Sequence, residues 1–125
     1  MDKFQAAFEL LYFLSAVDGD VVKEEIAVIE EFLDQNYEKV EFDPLEVIKS
    51  LEMLNWQGVQ DELDLTADFF KEFSDANDRF RFLEFGFHLI ASDDKITDEE
   101  RTLFISICNA WDIDYDKFIE KFIEN

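Results

Sequence analysis

At 125 residues and 48% hydrophobic, the sequence is long enough for one domain, residues 1–125, that buries a core of its own. With 32 acidic against 11 basic residues the formal net charge is −21, and a field of that sign repels phosphates and anionic headgroups, which excludes nucleic acid and direct membrane insertion. A single cysteine, Cys108, excludes an internal disulfide and a CxxC zinc or redox site and fits a reducing cytoplasm.

The start, Met1-Asp2-Lys3-Phe4, lacks the basic n-region of a signal peptide. The apolar run from Phe4 to Val17 is interrupted by Glu9 and is too short to span a bilayer, so the chain reads as soluble and unprocessed. Apolar residues recur at helical spacing almost throughout, with one Pro and three Gly, and strand-like alternation is missing. The expected fold class is therefore all-α.

A first helix, about Lys3 to Val17, is apolar on nearly every side, which predicts a helix enclosed by others. The second, after Asp18-Gly19-Asp20, carries the stripe Val22, Ile26, Ile29 and Leu33, with Phe32 beside it. Asp43 as N-cap, Pro44 at the first helical position and Glu46 three residues after the cap start a third helix. Its inner stripe is Val47, Ile48, Leu51 and Leu54. The pattern breaks around Asn55 to Gly58, then Val59, Leu63, Ala67, Phe70 and Phe73 predict a fourth helix.

Helix five, about Asn77 to Ser92, mirrors the first, with Phe80, Phe82, Leu83, Phe85, Phe87, Leu89 and Ile90 leaving a narrow polar strip of Arg81, Glu84 and His88. Thr97 and Glu100 form an S/T-x-x-E capping box for helix six, lined on one side by Leu103, Phe104, Ile107, Cys108 and Trp111. Asp114 caps a seventh, whose Tyr115, Phe118, Ile119, Phe122 and Ile123 make a regular amphipathic stripe. Cys108 reads as a small core residue, His88 as a surface residue four positions from Glu84, and the 15 Phe as core.

The segment Ala16-Val17-Asp18-Gly19-Asp20-Val21-Val22-Lys23-Glu24-Glu25 returns, changed but recognisable, as Ala91-Ser92-Asp93-Asp94-Lys95-Ile96-Thr97-Asp98-Glu99-Glu100. In each copy an apolar helix runs into an acidic turn, and a second helix opens on a Glu pair. The second copy reads like the latter half of an EF-hand loop. Leu89 and Ala91, with Leu14 and Ala16 in the first copy, stand where that loop needs carboxylates, so an ordinary EF-hand is excluded.

Two readings of these elbows remain open. In one, Asp18, Asp20 and Glu25, and in the other copy Asp93, Asp94 and Glu100, gather hard oxygen donors for Ca²⁺ or Mg²⁺. In the other, Glu25, Glu99 and Glu100 only complement the helix dipole and cap backbone N–H groups. An enzyme using paired carboxylates is not expected, because nothing in the sequence marks a hydrophobic niche that would raise one carboxylate's pKa.

The pattern of an apolar helix, Asp18-Gly19-x-Val21 and Glu25, repeated with Asp93, Ile96 and Glu100, resembles the TerB-like group, which includes the tellurite-resistance protein TerB and the N-terminal region of the co-chaperone DjlA. The likeness runs from about Phe4 to Phe122. It implies a compact all-helical, non-enzymatic module associated with tellurite and other stress responses. It also implies metal binding by the acidic turns, at Asp18, Asp20 and Glu25 and at Asp93, Asp94 and Glu100. Lys95 stands in place of Asp20, which makes the second site the weaker.

The expectation is thus a bundle of about seven helices with an internal pseudo-two-fold repeat, helices one and five paired centrally. Its leading function is divalent-cation binding. The alternative is a metal-free acidic surface that recruits a basic protein partner.

Overall fold

The computed structural model describes residues 2–16, 23–36, 42–91 and 96–124. Among these described residues seven helices follow in order: α1 (Lys3–Ala16), α2 (Lys23–Asn36), α3 (Pro44–Glu52), α4 (Trp56–Glu72), α5 (Ala76–Ala91), α6 (Asp98–Ala110) and α7 (Tyr115–Glu124). Among the described residues there is no strand, and no helix is long and apolar enough to cross a membrane. The all-α reading holds. The end of α1 at Ala16 and the start of α2 at Lys23 recur as the end of α5 at Ala91 and the start of α6 at Asp98, with the offset of the sequence repeat.

Helix α1 is buried from Ala6 to Leu14, because α2, α3, α4, α5 and α6 all pack against it, α4 most extensively. Helix α5 lies against α1 as expected, and the fit is close at Gly86. A Cβ placed there would stand 3.2 Å from Leu14 Cδ1. The two helices are not equally enclosed. Arg81 and His88 of α5 stay in water, and its outer side is covered by α7 through Phe87 on Phe118 and Phe122. A three-ring junction joins α4, α5 and the end of α6: Phe70 and Phe82 each lie 5.3 Å from Trp111, whose indole N–H donates to the Ala67 carbonyl at 2.8 Å.

Caps set most boundaries. Asp43 accepts from the Leu45 N–H before Pro44, Thr97 and Glu100 form the expected capping box, and Asp114 accepts from the Lys117 N–H. Helix α6 ends in a Schellman turn, with Ile113 N–H on the Cys108 carbonyl and Asp112 N–H on that of Asn109. Asp112 takes the left-handed position (φ 57°) and its carboxylate meets Lys71 Nζ at 2.7 Å.

Three expectations change at helix ends. The break before α4 is shorter than predicted, because Asn55 accepts from the Gly58 N–H and makes Trp56 to Gly58 the first helical turn. Leu54 lies beyond the C-cap of α3, and Phe73 is itself the C-cap of α4. Phe73 is therefore largely exposed and Leu54 partly so, instead of completing the inner stripes, since facing is periodic only while the helix continues. Val17, Val22 and the side chain of Ile123 lie outside the described residues.

The tight α1–α5 contact makes Gly86→Val an overpacking substitution. It is expected to cost about 1–3 kcal/mol, read as a lower urea midpoint at unchanged slope; an unchanged midpoint would mean that α1 and α5 can separate freely at this point.

Candidate functional site

Of the six elbow carboxylates, Asp18, Asp20, Asp93 and Asp94 lie outside the described residues. Glu25 occupies the first turn of α2, half-buried. Glu100 is buried, and its Oε1 accepts from the Thr97 N–H at 2.8 Å while Thr97 Oγ1 accepts from the Glu100 N–H at 3.1 Å. That carboxylate caps the start of α6. The two described donors sit on different helices, and among the described residues no three His, Cys, Asp or Glu side chains form a group able to hold a metal ion.

A site that the sequence reading missed lies between α1, α3 and α4. There a cleft of about 660 Å³ has acidic side chains (Glu9, Glu62, Glu46, Asp43) over an apolar lining of Phe42, Val47, Leu51 and Leu54. Glu9 is the buried member, only 5% exposed. It sits on α1, which is enclosed from nearly every direction, so the cleft is the opening that its carboxyl faces. Gln5 Nε2 donates to Glu9 Oε2 at 3.2 Å, Glu62 lines the same cleft, and Thr66 Oγ1 donates to Glu62 Oε2 at 3.3 Å.

Desolvation is the main reason that the Glu9 carboxyl is pushed up to about 7, with Gln5 opposing and the Glu62 charge and hydrogen bond adding to the rise. The expectation that no carboxylate sits in a pKa-raising niche is therefore corrected. The signal was present in the sequence: a single Glu on a helix apolar all round has to be buried with its helix. What the interruption of an apolar run indicated was a polar group facing a cleft.

Chemically, a carboxyl raised by burial beside further acidic side chains keeps its proton more readily or welcomes a cation. Ser50 is the hydroxyl in the cleft, and it donates to the Glu46 carbonyl at 3.4 Å. No lysine or arginine is among the described lining residues. Elsewhere, Cys108 is a core thiol, raised to about 12 chiefly by burial, and His88 is exposed with its ring edge against Phe122. A shallower hollow joins Trp56 to Asp98, Glu99 and Thr102 at the start of α6.

An all-helical chain with a duplicated helix–elbow–helix unit and an acidic surface defines a class of small helical modules. Comparison with protein-family models matches residues 4–121 to the family described as tellurite resistance protein TerB. The chain belongs to that family. No curated protein and no solved structure matches it.

Between pH 4.5 and 7 the native chain holds on Glu9 a proton that the unfolded chain has lost, so the Glu9 contribution to stability falls as pH rises through that window. Glu9→Gln keeps the neutral shape. It is expected to exceed the parent in stability at pH 8, by roughly 2 kcal/mol, with the gap closing by pH 5. Urea melts at the two pH values check this, and a gap of equal size at both would remove the protonation assigned to Glu9.

Proposed function

We propose that the chain is a non-enzymatic, stress-associated TerB module of the cytoplasm that recruits a basic protein partner through its acidic surface. The observation that supports this is the outer face of α4, where Asp61, Asp64 and Asp68 are exposed at helical-neighbour spacing. The Asp64 carboxyl is held above its usual value by desolvation first and then by the charges of Asp68 and Asp61. Like charges so placed destabilise a helix, and a docking cationic surface removes the penalty. Tellurite itself is an oxyanion that a −21 field repels, so the stress connection would run through a protein and not through capture of the ion. A non-catalytic role is supported by the make-up of the cleft, a carboxyl pair whose neighbouring hydroxyl already donates to backbone.

Changing Asp61, Asp64 and Asp68 together to Asn tests the reading. The variant is expected to melt higher than the parent and to retain a lysate partner about tenfold more weakly, while the parent's capture survives EDTA and falls steeply between about 50 and about 300 mM salt. Capture that is indifferent to salt and to the triple change would reject it.

A second reading, divalent-cation binding, is favoured by the duplicated elbows and by the half-exposed position of Glu25. Ca²⁺ or Mg²⁺ would be held by Asp18, Asp20 and Glu25, and more weakly by Asp93, Asp94 and Glu100, where Lys95 competes and the Glu100 carboxylate caps α6. Calorimetric titration of chelator-treated protein should then give heat and a raised melting temperature, both reduced by Asp18→Asn with Glu25→Gln. Silence at millimolar ion ends this reading.

A further inference from the structure

We infer that the α1–α3–α4 cleft is the socket for one arginine side chain of the basic partner. The inference rests on the recruitment reading above and names its anchor. Three features of the cleft select this occupant. First, Glu9 and Glu62 present carboxyls to one cleft from two different helices, α1 and α4, and a third carboxylate, Glu46, comes from α3. A planar guanidinium bonds more than one carboxylate at once through fixed N–H forks, which a compact ammonium does not do.

Second, the space of about 660 Å³ is far larger than a bare ion needs, and part of its lining is hydrocarbon, including Leu51 and the Phe42 ring. A three-carbon stem and a flat, weakly hydrated head use such a lining, by packing and by stacking on the aromatic face. A hydrated Mg²⁺ or Ca²⁺ gains nothing from it. Third, the described lining carries acidic side chains and no lysine or arginine, so its charge complements a cationic side chain from outside. The buried position of Glu9 makes the pairing specific, because a carboxylate shielded from water rewards a partner more than an exposed one.

The test uses the full chain and the blocked tripeptide acetyl-Leu-Arg-Leu-amide, with the same peptide carrying uncharged citrulline in place of Arg, and magnesium chloride as a third probe. Amide shifts are followed by NMR for the parent, for Glu62→Gln, which removes one carboxylate at constant shape, and for Ser50→Trp, which fills the cleft without touching its charge. The Arg peptide should move amides around Gln5, Glu9, Ser50 and Leu51. The citrulline peptide should not, and each variant, shown folded by its own spectrum, should weaken binding about tenfold or more.

Binding of the Arg peptide that is the same in both variants, or matched by citrulline, overturns the socket while leaving recruitment of a basic partner standing. Magnesium that moves the same amides and displaces the peptide assigns the cleft to a hard cation instead. No shift with any probe, alongside salt-sensitive capture of a basic protein, also removes the socket and sends the search to another face.

Discussion

The enclosure of α1 is the constraint from which the other features follow. Nine consecutive residues, Ala6 to Leu14, are removed from water, and Phe8, Leu10, Leu11 and Leu14 are wholly buried. Each such side chain contributes on the order of 1.5–3 kcal/mol by transfer from water. A helix that stabilises the fold on every side cannot rotate to suit one residue. Glu9 is therefore carried into the interior by its neighbours, and the cleft beside α3 and α4 is what keeps it tolerable: space, Gln5 as donor, and a carboxyl raised towards its neutral form. The raised Glu9 carboxyl is a consequence of core packing first and of any binding role second.

Helix existence and order were legible in the sequence because caps and periodicity agreed. Asp43-Pro44, Thr97 with Glu100, and Asp114 each set a helix start that the backbone then adopts. Asn55 was harder to read: its capping bond goes to Gly58, and a glycine in the first turn looks like a continued break. Leu54 and Phe73 were misplaced for one reason. Counting in steps of three and four assumes that the helix is still running, and both residues lie where it stops.

The site was less legible than the fold. The elbows drew attention because they repeat, yet Glu100, the member best described, meets Thr97 as part of the capping box. The cleft does not repeat. It arises where three helices distant in sequence converge, and neither Glu9 nor Glu62 has a local motif. Only the burial of its own helix singled out Glu9, and nothing in the spacing of α4 pointed Glu62 towards it.

Where the basic side chains are used sharpens the contrast between fold and surface. Lys3 reaches Asp78 at the start of α5, Lys71 holds Asp112 beyond α6, and Arg79 donates to the Lys71 and Ser74 carbonyls at the end of α4. All three serve helix termini: Lys71 and Arg79 act at the end of α4, where orphan carbonyls and the dipole reward a cation, and Lys3 pairs with an acidic side chain in the first turn of α5. Asp112 shows the effect plainly: its carboxyl is held low by the hydrogen bond from Lys71 and by that charge, at a left-handed turn. Cations placed there organise the corners of the bundle, and among the described residues no lysine or arginine ion-pairs with the α4 row or lines the cleft. In a chain so short of positive charge, a cationic partner surface is what the proposed recruitment would bring to those two places.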